Sequence, residues 1–255
     1  LNKKKESIQF FKSYIELQPN NAEAYYSLAI CYREIGDIKM AEKTFLKAFK
    51  INPEYPYLKG QLQFMKNHLC DWVNYNETKK NIEKDITQNK KTITPWQALS
   101  VIDSPKLLKD NTMLFIDNKK FNNQNLFDKK KITLGYFSPD FCEHAVSNQF
   151  KQILKLHDKK KFEVVGFYLN SKQDEKLYEM KTYFDKFFDI NQMSTEDIIR
   201  LTQVHKVDIA IDLAGYTYSN RYQIFNQRCA PLQVSYLGFA GSTGLNNMDY
   251  LIADK

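Results

Sequence analysis

No apolar run in the chain approaches the roughly 18 residues of a membrane-spanning helix, and the first residues carry no secretory pattern. The four cysteines, Cys31, Cys70, Cys142 and Cys229, lie far apart, so no pair has metal-ligand or redox spacing. Their scatter fits unpaired, mostly buried thiols in a reducing compartment, and cytoplasmic placement is expected. The net charge is +7, but the lysines are dispersed among asparagines and form no dense basic helix. A solvated lysine-rich surface is expected, not a nucleic-acid footprint. An initiator Met is lacking at Leu1, and the last residues, "MDYLIADK", read as a strand. Both ends read as cut, so a piece of a longer protein is expected.

What is present is ordinary globular material: 255 residues, 43% hydrophobic and 26% charged, enough for two domains. The front of the chain repeats. Pro19 and Pro53 stand 34 residues apart, as do Phe11 and Phe45, which is the tetratricopeptide period. Between the prolines, Tyr25, Leu28, Ala29 and Tyr32 share one helical face, Ala41, Phe45 and Ala48 share a second, and Gly36 marks the turn. Small Ala29, Ala41 and Ala48 allow two antiparallel helices to approach closely, with Tyr25, Tyr32 and Phe45 filling the space. "ESIQFFKSYIELQPN" reads as the second helix of a preceding repeat. Residues 1–55 are therefore expected to hold one partial and one complete repeat. Each repeat buries its face only against neighbours, and such stacks bind peptides or proteins. Residues 56–128 read as a helical extension and connector: "YLKGQLQFMKNHLCDWVNY" sets Leu62, Met65, Leu69 and Trp72 at helical spacing. The Asn- and Lys-rich stretch after Ile102 reads as a connector with one short helix.

From residue 129 to 255 the texture changes. Apolar strands are expected at 131–138, 161–169, 207–215, 232–239 and 249–253, separated by the amphipathic segments "SNQFKQILKLHD", "DEKLYEMKTYFDKFF" and "STEDIIRLTQVHK". Ser194 followed three residues on by Asp197 is a helix-start pattern. Near-continuous apolar strands linked by helices indicate a parallel sheet covered on both faces. The fold class is thus α plus α/β: tetratricopeptide-type helices followed by a Rossmann-like sheet, whose ligands lie beyond the strand C-terminal ends.

Three loops leave those ends. "SPDFCEHAVS" carries Cys142, Glu143 and His144; "DLAGYTYSNR" carries Gly215, Tyr216, Thr217 and Arg221; "GFAGSTG" carries Gly238, Gly241 and Gly244 with Ser242 and Thr243. Glycine turns let backbone N–H groups approach an anionic or sugar ligand, although a glycine loop serves as a tight turn as often as a cradle. Three at one sheet edge point to a site. Cys142 and His144 have no second metal pair, so no metal site is expected. His144 then stands alone at the sheet mouth beside a helix start, whose partial positive charge favours a neutral, proton-accepting ring. A histidine that merely caps or packs the loop fits the spacing equally well.

In order along the chain, "YLKGQLQFMKNHLCDW", "LGYFSPDFCEHAVS", "VDIAIDLAGYT" and "RCAPLQVSYLGFAGSTG…MDYLIAD" behind a tetratricopeptide stack resemble the SPINDLY and O-linked N-acetylglucosamine transferase family, glycosyltransferase family 41. The resemblance implies an inverting glycosyltransferase of GT-B architecture that moves a sugar from a nucleotide sugar to Ser or Thr hydroxyls of proteins. It implies repeats that select the acceptor, and no metal or other cofactor. The implied donor is UDP-GlcNAc; alternatives are O-fucosyl transfer from GDP-fucose and a repeat-based interaction module that no longer catalyses. Residues 129–255 match the N-terminal, acceptor-side half of the catalytic region. The donor-binding half has no counterpart here, so the 255 residues alone are expected to be inactive. By resemblance His144 is the candidate base, and Asp140, Gly215, Tyr216, Thr217, Gly241, Ser242, Thr243 and Gly244 are candidate substrate-binding residues. The chain departs from the family pattern at Asn148, where many relatives have a second His, at Asp208, where animal enzymes carry His, and at Ser27, where animal repeats often carry a peptide-gripping Asn.

Overall fold

A computed structural model describes residues 2–117, 127–217 and 219–253. The chain divides into two compact units, Leu1–Phe115 and Ile116–Lys255.

The first unit is helical: α1 (Asn2–Leu17), α2 (Ala22–Glu34), α3 (Ile38–Ile51), α4 (Leu58–His68), α5 (Tyr75–Thr87), α6 (Pro95–Ala98) and α7 (Pro105–Phe115). Asn21 caps α2 by accepting the Ala24 N–H, and Asp37 caps α3 by accepting the Met40 N–H. Ala29, Ala41, Phe45 and Ala48 are completely buried, and Tyr32 nearly so, so the small residues do bring α2 and α3 together as the spacing predicts. A polar cluster then ties the repeat to the helices that follow. Arg33 and Gln97 both donate to Gln61 Oε1, at 2.7 and 2.9 Å, and Gln61 donates to the Tyr26 hydroxyl at 3.3 Å.

The helical pattern expected to continue through Trp72 stops earlier. Helix α4 ends at His68, Cys70 takes a left-handed φ of 55°, and Trp72 is 58% exposed outside any helix. The short connector helix is α7, with eleven residues. The remainder of that connector, 118–126, lies outside the described residues, as does Tyr218 of the second loop.

The second unit holds β1 (Ile132–Ser138), α8 (Ala145–Leu156), β2 (Phe162–Tyr168), α9 (Glu175–Lys181), β3 (Lys186–Asp189), α10 (Thr195–Val204), β4 (Ile209–Asp212), α11 (Tyr222–Asn226), β5 (Leu232–Tyr236) and β6 (Tyr250–Ile252). The strands form one sheet in the order β3-β2-β1-β4-β5-β6, with every pair parallel. Ser194 caps α10 through the Asp197 N–H. On one face Phe141, Phe150, Leu154, Tyr168, Leu177 and Met180 form a packed core; elsewhere the Phe137 and Phe167 rings stack at 4.4 Å.

One strand, β3, differs from the sequence expectation. "DEKLYEMKTYFDKFF" reads as a single amphipathic helix, but only Glu175–Lys181 is helical and Lys186–Asp189 is the edge strand β3, paired with β2 from Val165 to Tyr168. Phe184 and Phe187 pack against the core under that edge. Asp185 also binds β2, its carboxylate accepting the Val164 N–H at 2.7 Å and its own N–H donating to the Val164 carbonyl. A four-residue strand carries too little alternation to be told from the end of a helix.

Candidate functional site

The strand order reverses at β1, which has β2 on one side and β4 on the other. A doubly wound sheet opens a crevice at such a switch point, outside the strand C-terminal ends. The first loop, after β1, and the second, after β4, flank it, and the third loop follows β5 beside them.

In the first loop, Phe141 and Cys142 turn into the core while Glu143 and His144 face solvent. Ser147 fixes the turn by donating to the carbonyls of Asp140 and Cys142. Asn170, at the end of β2, donates to the Pro139 carbonyl at 3.1 Å. Asp174 accepts the Glu143 N–H at 2.9 Å while also capping α9 through the Leu177 N–H. His144 is the N-cap of α8, its Nδ1 accepting the Val146 N–H at 3.2 Å. A cap of this kind is worth about 1 kcal/mol. The ring is nonetheless 48% exposed, and its Nδ1 stands 3.7 Å from the Asp140 carboxylate, itself 17% exposed. Burial pushes the Asp140 carboxyl above its ordinary value, and the neighbouring His144 charge draws it back down. The structure makes His144 the cap of α8 and leaves its ring accessible at the sheet mouth. Asn148, one turn along α8, is exposed.

The second and third loops are locked together. The Asp212 carboxylate, buried at the end of β4, accepts the N–H groups of Ala214 and Gly215 at 2.9 and 3.0 Å. Burial raises its pKa and those two donors oppose the shift. Gly215 and Gly238 both have left-handed φ, 55° and 62°. A Cβ at Gly215 would lie 2.4 Å from Phe239 Cβ, and one at Gly238 would lie 2.1 Å from the Leu213 carbonyl oxygen, so only glycine permits the loops to close on each other. The Tyr216 ring packs edge-on to Phe239 at 5.2 Å and its hydroxyl donates to the Thr243 carbonyl. Burial holds that hydroxyl well above the ordinary tyrosine pKa, which keeps it a donor. Thr217 turns inward to donate to the Ala214 carbonyl at 2.8 Å, and Ser242 accepts the Gly244 N–H at 3.3 Å. The base of the third loop is held by Gln233, fully buried and donating to the carbonyls of Phe225 and Asn247, and by Arg228, which pairs with Asp249 at 2.9 Å.

The structure therefore brings Gly215, Tyr216 and Thr243 together directly, with Thr217, Ser242 and Gly244 in the same two loops. His144 and Asp140 form a separate pair in the loop after β1. Asp212, Asn170 and Asp174 also hold the loops; the sequence signals for the two aspartates are an Asp two residues before a turn in "DLAG" and an Asp opening a helix in "DEKL", and Asn170 has none. Asp208 sits at the opposite end of the sheet. Its 2%-exposed carboxylate accepts the N–H groups of Phe127 and Thr133 and pairs with Lys129 at 2.9 Å. The departure from the family pattern at 208 thus serves the start of the sheet. Among the described residues, no three of His, Cys, Asp and Glu converge as metal ligands, and no helix is long and apolar enough to cross a membrane.

Comparison with known proteins gives the family and the fold. The family model for glycosyl transferase family 41 matches residues 88–255, and a tetratricopeptide-repeat model matches residues 10–43. The chain is 34% identical over 127 residues to the probable UDP-N-acetylglucosamine–peptide N-acetylglucosaminyltransferase SEC of Arabidopsis thaliana, covering 49% of this chain and 13% of that protein. It is 35% identical over 136 residues to the probable UDP-N-acetylglucosamine–peptide N-acetylglucosaminyltransferase SPINDLY of the same plant, covering 51% of this chain and 15% of that protein. The chain thus spans only a small part of either relative. Among solved structures, a mutant O-GlcNAc transferase from Thermobaculum terrenum superposes with a TM-score of 0.69 over 97% of this chain and 50% of its own, at 17% identity, which bears on the fold. With the family model running from residue 88 to residue 255, the protein belongs to glycosyl transferase family 41.

Proposed function

We propose that this chain supplies the acceptor-side half of an inverting protein O-glycosyltransferase, which moves GlcNAc from UDP-GlcNAc to Ser or Thr hydroxyls. The observation that carries the reading is an accessible histidine at the switch point of the sheet, with two glycine-bearing loops locked to one another after the neighbouring strands. In an inverting displacement the acceptor oxygen attacks the anomeric carbon from the face opposite the leaving diphosphate and loses its proton as it does so. His144 is the group on this wall suited to take that proton. The second and third loops, 215–217 and 241–244, form the wall that faces the substrates, and the tetratricopeptide helices bind the acceptor protein.

Turnover belongs to the complete protein, since the chain spans 13% and 15% of the two plant relatives, and the 255 residues alone are expected to be inactive. The reading requires no resident metal or cofactor, so EDTA should leave transfer unchanged. It places the protein in the cytoplasm, in keeping with four cysteines that are all unpaired.

The test is transfer of labelled sugar by the complete reading frame to a protein acceptor, with UDP-GlcNAc and GDP-fucose side by side. Incorporation from UDP-GlcNAc supports the reading. Incorporation from GDP-fucose alone would keep the fold and the base but replace the donor, and no transfer from either would leave an interaction module.

A further inference from the structure

His144, as it lies, presents the wrong nitrogen state for a base. Its Nδ1 accepts the Val146 N–H at 3.2 Å, which requires a bare Nδ1 and, in a neutral ring, places the proton on Nε2. A ring in that form donates from Nε2 and takes no proton there. The same Nδ1 has a second neighbour, the Asp140 Oδ2 at 3.7 Å. That separation is beyond hydrogen-bond length but is closed by a small rotation of the ring. Asp140 is the member whose backbone is anchored. Its N–H donates to Ser138 Oγ at 3.0 Å and its carbonyl accepts the Ser147 hydroxyl at 2.6 Å, whereas the ring is 48% exposed.

Resting on the reading of His144 as proton acceptor, we propose that Asp140 is its positioning residue, drawing the ring off the helix cap into the Nδ1–H form and leaving Nε2 bare toward the acceptor hydroxyl. The two states exclude one another, because Nδ1 cannot carry a proton for Asp140 and accept one from Val146 together. In the transfer step the hydroxyl proton passes to Nε2 and the oxygen lone pair forms the bond to the anomeric carbon. The electrons of the broken anomeric C–O bond leave with the nucleoside diphosphate. The resulting imidazolium keeps its Nδ1–H on the Asp140 carboxylate, which stays ionised throughout. Orientation of a histidine by a carboxylate is a general device of acid–base catalysis. Here the competing partner is the helix cap, so the resting enzyme stores its base in an inert tautomer.

Long-range 15N–1H correlation spectra of the histidine-labelled chain read each ring nitrogen separately, with His144 assigned by its loss in His144→Ala. With the ring neutral, the unsubstituted chain should give intermediate 15N shifts from exchange between the two tautomers. Asp140→Asn, whose amide can donate to a bare Nδ1, should move both nitrogens to the pure Nε2–H limit, and Asp140→Glu should return them part of the way. Identical His144 shifts in all three proteins would overturn the proposal. In the complete reading frame, Asp140→Asn should lower kcat about 10- to 100-fold with each KM within about threefold. A loss carried by KM alone would make Asp140 a substrate contact and overturn the positioning role. Normal turnover by His144→Ala, with the ring nitrogens still responding to Asp140→Asn, would remove the base assignment while leaving the Asp140–His144 pairing in place.

Discussion

The Tyr216 hydroxyl donates to the backbone carbonyl of Thr243, joining the loop after β4 to the loop after β5. The bond spans 27 residues of sequence and sits over the Tyr216–Phe239 ring contact, so it closes the two loops into one wall of the crevice. Tyr216→Phe keeps the ring and removes the bond. It should cost about 1 kcal/mol of stability, and backbone amides of residues 239–244 should exchange with solvent faster while those of β1 and β2 do not. Unchanged exchange in 239–244 would mean that the wall holds without this bond.

Gly238 tests the same wall from its backbone. With φ at 62° and the Leu213 carbonyl oxygen 2.1 Å from where a Cβ would stand, alanine combines left-handed strain with a backbone clash. Gly238→Ala should destabilise the protein by about 3 kcal/mol, read as a lowered urea midpoint at constant slope. A midpoint within error of the parent would show that the two loops can separate at little cost.

The helices of the repeat and four of the six strand positions announce themselves in the sequence because burial there follows a period: Ala41, Phe45 and Ala48 recur at helical spacing, and β1 and β2 are near-continuous apolar runs of seven residues. The strand β6 is also legible as "DYLIA". Strand β3 is not, since "KFFD" is short and its register comes from Asp185 binding β2. Helix α4 likewise stops at His68 for reasons local to the turn at Cys70, which the spacing of Leu69 and Trp72 conceals. At the site, His144 and the glycine loops stand out by residue type. The work of Asp174, Asn170 and Asp212 does not, because each acts on a backbone group brought near only by the fold.

Asp174 gives a pH-dependent prediction. The Glu143 N–H above all, then the Leu177 N–H and the Lys172 ammonium, hold its carboxyl below the usual aspartate value against the opposing effect of burial. A lowered folded-state pKa means that the stabilisation is complete above the unfolded aspartate value, about 3.9, and is lost as pH falls through the folded value. Asp174→Ala should therefore be about 1 kcal/mol less stable near pH 7, the scale of a lost helix cap, with the gap between the two proteins closing below about pH 4. A gap that stays constant down to the acid transition would assign the loss to packing, not to the ionised carboxylate.

On the proposed reading, a protein hydroxyl loses its proton to His144. The most direct measurement is the rate of sugar transfer by the complete reading frame with and without His144→Ala, at saturating donor and acceptor. If His144 is the proton acceptor, kcat should fall about 10²–10⁴-fold with the fold intact by circular dichroism. Turnover within a factor of about two of the parent would contradict it and place the proton acceptor elsewhere.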